Sequence, residues 1–297
     1  MRDFTYDKMT PKLQTYLDWH NQHLDNYDWA KAKELRATLA PGELDAYYQA
    51  KVIWACDDPS NASDQVTEEI SPSTKYRLVI TYHSNGPGLF SYSKGTIYRT
   101  GNTEPLATVC RNYGSFPFAW VEGHQKGDFL VCGYDYQGNT VVDLTTGKRV
   151  DYLPPEAADG VAFCWADIHP SPQGSLLAVE GCFWACPYEV IIVDFSDPMK
   201  MPWPVLCMPS REKQDWGYPD EYGSWVNEDS CILGTTTEVV DLPGHPLYGK
   251  AENELNDEQL EELEAYCEEQ GVQVKSEATT AGFGLRFQST TWRRPKP

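Results

Sequence analysis

Two thiols and several aromatic side chains are crowded into one short segment, EGCFWACPYE, at residues 180–189. Phe183 and Trp184 occupy its uncharged tip, and exposed aromatic residues of this kind are typical anchors for a binding partner. The thiols of Cys182 and Cys186 are chemically able to ligate a metal, but a lone C-x3-C motif lacks the second Cys or His pair of a zinc site. Two interpretations stay open: the rings bind a ligand or partner, or they pack beneath a neighbouring loop.

Other residues with binding chemistry follow strand-like runs elsewhere in the chain. Tyr134-Asp135-Tyr136 comes directly after FLVCG, and His83 ends the run YRLVITYH shortly before a Gly-Pro-Gly turn. His83 is therefore the histidine best placed to reach a loop mouth. The candidate binding residues are Phe183, Trp184, Tyr188, Glu189, Tyr134, Asp135, Tyr136 and His83.

No arrangement of residues typical of catalysis stands out in the sequence. It contains no G-x-S-x-G motif of serine hydrolases and no phosphate-binding G-x-G-x-x-G between a strand and a helix. His20 and His23 lie one helical turn apart, but no Glu completes an H-E-x-x-H zinc motif. Carboxylates are so abundant that no pair of them indicates glycoside hydrolysis. We therefore expect no catalytic residue, no cofactor and no metal.

Two landmarks recur in the middle of the chain and indicate a degenerate repeat. The first is a tryptophan before an apolar strand-like run, at Trp120, Trp165 and Trp225. The second is an aspartate between an aliphatic run and a turn, at Asp143, Asp194 and Asp241. Because these residues recur, we expect the tryptophans to be largely buried at equivalent places. We expect each aspartate to bond the turn that follows it.

The elements that position these residues change in character along the chain. Residues 10–56 show helical spacing, and the polar stretch 57–75 has the composition of a linker or long loop. From residue 76 to about 242, short β-branched and aromatic runs alternate with turn residues, which indicates strands and hairpins. Residues 256–270 return to helical spacing, with an apolar face and many acidic residues, and a last β-like run follows.

Two segments carry a resemblance to a known architecture. HPSPQGSLLAVEG at 169–181 is similar to the hairpin between the first two strands of WD40-like propeller blades, and we expect the ring of His169 to hydrogen-bond across it. VVDLTTGKRV at 141–150 resembles the end of the third strand of such blades. The tryptophans are spaced by 45 and then 60 residues, and a period near 40–50 residues is typical of propeller blades. The resemblance covers roughly residues 76–245 and concerns architecture, which enzymes, sugar binders and scaffolds share.

The sequence therefore predicts a mainly β fold, a small or irregular β-propeller-like array of about four four-stranded units. A helical N-terminal segment and linker occupies residues 1–70, and the β domain occupies 71–297 with a charged helical insertion at 252–271. The expected blades lie near residues 76–110, 117–153, 162–208 and 222–245, and the final strands complete the last one. An open stack of sheets capped by the N-terminal helices is the alternative.

The resemblance also implies a common location for the candidate binding residues. Loops that join the second and third strands of propeller blades gather on one face with the loops between blades. We therefore expect the Trp184 segment and the Tyr134-Asp135-Tyr136 segment to share a surface around a central channel.

Composition limits the partners of the chain. It has 44 acidic and 24 basic residues, for a formal net charge of −20. Phosphate backbones and anionic lipids repel such a chain, so we expect no membrane binding and no direct nucleic-acid binding. The nine cysteines are odd in number, and no apolar stretch near residue 1 has the form of a signal peptide. We therefore expect reduced thiols and a cytoplasmic protein.

These observations favour a cytosolic, non-catalytic protein-binding module, such as an acidic inhibitor or adaptor for a basic partner. The alternative is a small-ligand binding protein or enzyme that uses the loop face, with a sugar or nucleoside stacked on Trp184 and Tyr134.

Overall fold

The computed structural model describes residues 9–23, 26–84, 86, 90–184, 186–208, 221–251, 254–270 and 283–295. Within these ranges the chain is mainly β, with four antiparallel sheets and four α-helices. The coarse fold class predicted from the sequence is confirmed. Residues 252, 253 and 271 of the predicted helical insertion lie outside the described residues.

Three helices precede the sheets and one lies between the last two strands: α1 (Pro11–Gln22), α2 (Trp29–Arg36), α3 (Glu43–Asp57) and α4 (Asp257–Gln270). Local residues explain the start of α1, because Pro11 is its first residue and the Thr10 side chain accepts a hydrogen bond from the backbone N–H of Leu13. Tyr16 of α1 and Tyr47 of α3 belong to one buried cluster that joins the two helices.

The first two sheets are formed by strands that follow one another in the chain. The first contains β1 (Ala62–Ile70), β2 (Tyr76–Ser84), β3 (Ser91–Arg99) and β4 (Pro105–Arg111). The second contains β5 (Ala119–His124), β6 (Gly127–Cys132), β7 (Asn139–Asp143) and β8 (Arg149–Tyr152).

The remaining two sheets have the same consecutive strand order. The third contains β9 (Phe163–Pro170), β10 (Leu176–Phe183), β11 (Glu189–Asp194) and β12 (Val205–Cys207). The fourth contains β13 (Glu221–Asn227), β14 (Ser230–Val240) and β15 (Phe283–Arg293). The C-terminal run pairs with β14 along eleven residues, so the expectation that it completes the last sheet is confirmed.

The polar stretch interpreted as a linker contains β1, so that interpretation was wrong for residues 62–70. All residues of β1 except Thr67 are exposed, and the strand pairs antiparallel with β2, with Thr67 opposite Ile80. Backbone hydrogen bonds hold this edge strand, and it needs no buried apolar face. Its sequence therefore lacks the alternation of apolar and polar residues that indicates a strand.

The chain divides into two compact units. The first comprises Met1–Phe118 and Cys132–Leu153, and it includes α1 to α3, the first sheet, β7 and β8. The second comprises Ala119–Val131 and Pro154–Pro297, with the remaining elements. The division at residue 70 expected from composition stays a prediction.

In the second unit, the third and fourth sheets share a buried core. Ala178 and Ile192 of the third sheet pack with Cys231 and Leu233 of the fourth. The apolar face predicted for α4 is confirmed, because Leu263 is buried in a cluster with Cys267, Val240 and Phe283.

The recurring tryptophans all lie on first strands: Trp120 on β5, Trp165 on β9 and Trp225 on β13. Only Trp165 is buried, at 9% exposure, while Trp120 and Trp225 are half-buried. The expectation that all three are largely buried was therefore wrong for two of them. First strands are edge strands, where a large ring keeps one side accessible, and Trp165 has an additional aromatic neighbour in Trp203.

Two of the recurring aspartates bond the turn that follows, as predicted. Asp143 Oδ1 accepts a hydrogen bond from the N–H of Thr145 at 2.8 Å, and Asp194 Oδ1 accepts one from the N–H of Ser196 at 2.9 Å. These residues end β7 and β11, the third strands of their sheets. Asp241 instead follows β14, which is a second strand.

Candidate functional site

The aromatic segment 180–189 forms the end of the hairpin between β10 and β11. Gly181 pairs with Glu189, and the N–H of Cys186 donates to the carbonyl of Phe183 at 2.8 Å, which closes the turn. The two aromatic residues of the tip have different environments. Phe183 is half-buried with its ring edge-on to Phe163, whereas Trp184 is 60% exposed.

Two further candidates lie on the C-terminal side of the same hairpin. Tyr188 is 52% exposed, while Glu189 is buried at 5% exposure. All nine cysteines, including Cys182 and Cys186, are present as reduced thiols. The hairpin therefore presents Trp184 and Tyr188 to the surroundings and holds Glu189 in the interior.

Carboxylates surround the exposed Tyr188. A shallow cleft is lined by Ala166, Asp167, Glu180, Tyr188 and Glu221. Asp167 and Glu221 are exposed, so the negative charge of the cleft faces the same surroundings as the tyrosine ring. We call Trp184, Tyr188 and the three carboxylates of this cleft the hairpin-tip surface.

His169 lies beneath this surface and bonds across the hairpin of β9 and β10, as the sequence predicts. Its Nε2 atom is 2.7 Å from Glu180 Oε2, and the other oxygen of Glu180 accepts a hydrogen bond from the N–H of Tyr222 at 2.8 Å. Burial opposes ionisation of Glu180, but the hydrogen bonds from His169 and Tyr222 outweigh it and lower its pKa.

The same residues form a group with metal-ligand spacing that the sequence analysis missed. One ligand atom each of Asp167, His169 and Glu180 lie within 4.8 Å of one another, and these side chains could together hold a divalent cation. A signal was present in the strand pattern. Asp167 and His169 alternate on one face of β9, and Glu180 pairs with Asp167 across the hairpin.

In the first unit, Tyr134 and Asp135 line a cavity of about 290 Å³. Helix α3 supplies one wall. The first sheet, the loop before β7 and strand β8 supply the rest. The lining also includes Asp45, Asp57, Lys94, Cys110 and Arg149. Sequence reasoning identified Tyr134 and Asp135 from their place after a strand, but it did not associate these distant residues with them.

The cavity contains charges of both signs. Lys94 Nζ is 2.7 Å from Asp57, and Arg149 pairs with Asp151 outside the lining at 2.7 Å. Burial raises the pKa of Asp135, and burial together with the negative charge of Asp135 raises the pKa of Asp45. The two aspartates therefore form an electronegative corner of the cavity.

The last two candidate residues are also in the first unit. Tyr136 is half-buried, and its N–H donates to the side chain of Asn112 at 2.9 Å. His83 is 5% exposed, with its Nε2 atom 2.9 Å from the Thr81 hydroxyl, so its ring does not line a surface. Because the candidates are divided between the two units, a common surface for all of them stays a prediction.

Comparisons with known proteins give one relative and no functional label. No family model matches the chain. The "Uncharacterized protein R762" of Acanthamoeba polyphaga mimivirus is 32% identical over 142 residues, which cover 48% of this chain and 55% of the viral protein. The match thus spans about half the length of each protein. In the described residues, no helix combines the length and apolar character needed to cross a bilayer.

Proposed function

We propose that the protein is a non-catalytic binding module that recognises a basic protein partner through the hairpin-tip surface. The observation that carries this proposal is the 60% exposure of Trp184 at the end of a hairpin that also presents Tyr188 beside three carboxylates. Tryptophan and tyrosine dominate the energetics of protein interfaces, because their rings fill pockets of the partner and exclude water.

Charge and apolar area contribute separately to this recognition. Burying one large exposed aromatic side chain on a partner contributes roughly 1.5–3 kcal/mol. The carboxylates of Asp167, Glu180 and Glu221, within a chain of net charge −20, attract a basic surface and accelerate its association. The expected partner therefore has an apolar pocket with lysine or arginine residues around it.

The proposal includes the architecture that presents the hairpin. We propose that the four sheets are blades of a small, WD40-like propeller-type array. Supporting this, each sheet has its strands in chain order, and in the second unit β5 contacts β9 while β10 and β11 contact β13. The nine reduced thiols agree with a reducing compartment, and we propose a cytoplasmic location.

The test uses Trp29 as a matched control, because it is 68% exposed on α2 in the other unit. The wild-type chain and the variants Trp184→Ala and Trp29→Ala are immobilised and exposed to cell lysate at low and high salt. A partner that binds the wild type and Trp29→Ala, is lost with Trp184→Ala and elutes at high salt supports the proposal. A partner that Trp184→Ala retains in full, or that high salt does not weaken, contradicts it.

A second candidate function is small-ligand binding in the cavity of the first unit. The observation that favours it is the convergence of Tyr134, Asp135 and Asp45 on a cavity of about 290 Å³. This volume is at the lower end of the roughly 300–1,000 Å³ typical of ligand pockets, so it suits a sugar or nucleoside. Carboxylates bind hydroxyl groups of such ligands as hydrogen-bond acceptors.

Thermal-shift measurements with monosaccharides and nucleosides test this second function. Asp135→Asn should abolish any ligand-induced rise in melting temperature, whereas Asp64→Asn, on the exposed strand β1, should preserve it. If no ligand of either class raises the melting temperature, this candidate function is rejected.

A further inference from the structure

Two thiols from distant parts of the first unit meet next to the cavity. Cys56 is buried on α3, and Cys110 is half-buried on β4 and lines the cavity. Helix α3 packs against β3 and β4, and on these two strands Lys94 pairs with Cys110. Cys56 Sγ lies 3.8 Å from the carbonyl oxygen of Ser93, the residue before Lys94. The fold thus places the Cys56 thiol beside the strand pair that carries Cys110.

Charges around Cys110 favour its thiolate. The hydrogen bond from Cys56 is the largest influence that lowers the pKa of Cys110, and the positive charges of Lys94 and Arg149 act in the same direction. Burial and the negative charge of Asp57 oppose them. Hydrogen bonding to Cys110 and burial raise the pKa of Cys56, so Cys110 loses its proton more readily than Cys56 does.

The pKa values of two other buried thiols shift in the opposite direction from that of Cys110. Burial raises the pKa of Cys132 and Cys231 to about 12, so neither is a thiolate near neutral pH. Reactivity towards oxidants follows thiolate character and access, and Cys110 combines both.

We propose that Cys110 and Cys56 form a redox pair, in which hydrogen peroxide entering the cavity oxidises Cys110 and Cys56 then closes a reversible disulfide. Cys110 is the attacking thiol, because it lines the cavity. Cys56 is the resolving thiol, because it is buried on α3 against the strand pair that carries Cys110.

The chemistry balances in two steps. The Cys110 thiolate attacks one oxygen of hydrogen peroxide, so an S–O bond forms, the O–O bond breaks, and the departing hydroxide takes a proton to become water. Cys56 then attacks the sulfur of the sulfenic acid, so an S–S bond forms and the S–O bond breaks. The second oxygen leaves as water with the proton of Cys56. Two thiols are oxidised by two electrons, and one peroxide is reduced to two waters.

The first experiment treats the full chain with hydrogen peroxide, blocks the remaining thiols and maps disulfides by mass spectrometry. We expect a peptide linked through Cys56 and Cys110 that dithiothreitol separates. In Cys56→Ser, Cys110 should accumulate as a sulfenic acid that dimedone traps, and Cys267→Ser should behave as the wild type. A disulfide at Cys182 and Cys186 in place of this pair, or trapping of sulfenic acid elsewhere, overturns the proposal.

A second measurement is independent of disulfide formation and of folding defects in a Cys110 variant. The rate at which iodoacetamide alkylates Cys110 is followed against pH in the wild type and in Cys56→Ser, with melting temperatures recorded for both. Loss of the Cys56 thiol should move the midpoint to higher pH, and a shift of one pH unit lowers the rate about tenfold below the midpoint. An unchanged midpoint contradicts the role given to Cys56.

Discussion

The imidazole ring of His169 lies flat on the ring of Tyr222, with the centroids 4.0 Å apart and the planes at 15° to each other. Glu180 joins the two residues, because its carboxylate bonds both the ring of His169 and the backbone N–H of Tyr222. Trp225 adds a hydrogen bond from its indole N–H to the His169 carbonyl at 2.9 Å. These contacts fasten β13 to the β9–β10 hairpin beneath the hairpin-tip surface.

Replacing Glu180 with Gln should lower the free energy of unfolding at pH 7 by about 1.5 kcal/mol, because a charge-assisted hydrogen bond is lost. The folded-state pKa of Glu180 is lowered, so its charge stabilises the fold above the unfolded-state pKa of about 4.3. That contribution is lost as the pH falls through the lower folded-state pKa. The stability difference between wild type and variant should therefore shrink below about pH 4.3.

Urea unfolding of both proteins between neutral and acidic pH measures this difference. His169 and Asp167 are the titratable groups on β9 near Glu180, so His169→Gln is included to separate its protonation from that of Glu180. A stability difference that is constant across the pH range would show that the Glu180 charge has no stabilising role.

Glu228 fixes the turn between β9 and β10, and Glu228→Ala should destabilise the chain by about 2 kcal/mol. Its carboxylate accepts hydrogen bonds from the Ser171 hydroxyl at 2.8 Å, the N–H of Gln173 at 2.7 Å and the N–H of Ser175 at 3.0 Å. Removing the acceptor leaves these donors unsatisfied. Thermal unfolding should show a lower melting temperature for Glu228→Ala than for the control Glu104→Ala, an exposed turn residue. Equal melting temperatures would contradict this role.

Close packing in the first sheet makes Gly95 intolerant of a larger residue. A Cβ atom at Gly95 would lie 2.3 Å from Cζ of Phe116, whose ring is buried. Gly95→Ala should therefore cost about 1–3 kcal/mol, as overpacked cores do. Adding Phe116→Leu should recover part of this loss, and a double-mutant cycle from urea unfolding measures the coupling between the two sites. If the losses of unfolding free energy from the two substitutions simply add, Gly95 and Phe116 are not coupled, and the Phe116 ring is not what limits the size of residue 95.

Local features of the fold could be predicted from the sequence because they depend on residues close together in the chain. The His169–Glu180 contact follows from a short hairpin, and the bonds of Asp143 and Asp194 follow from the turns next to them. β1 could not be predicted, because it is an edge strand held by backbone pairing.

The hairpin-tip surface and the cavity depend on contacts between residues that are far apart in the sequence, and no local sequence pattern predicts such contacts. Tyr222 contacts His169 although it lies 53 positions later in the chain, and Lys94 reaches the cavity from a strand remote from Asp135. Position at a strand end selected Tyr134 and Asp135, which line the cavity, and also His83, whose ring is buried. Their role in binding stays a prediction. Burial at a strand end depends on the elements that pack over it, and these are distant in the sequence.

The exposure of Trp184 makes a stability prediction that separates a binding role from a packing role. Trp184 is 60% exposed, so Trp184→Ala should change the melting temperature little, since surface substitutions usually stay within about 0.5 kcal/mol. Trp165, at 9% exposure, is the matched residue of the adjoining strand β9, and Trp165→Ala should cost about 3–5 kcal/mol. Thermal and urea unfolding of the two variants decide the matter. If Trp184→Ala destabilises the chain as much as Trp165→Ala does, the Trp184 ring is part of the core and the hairpin-tip surface does not bind a partner.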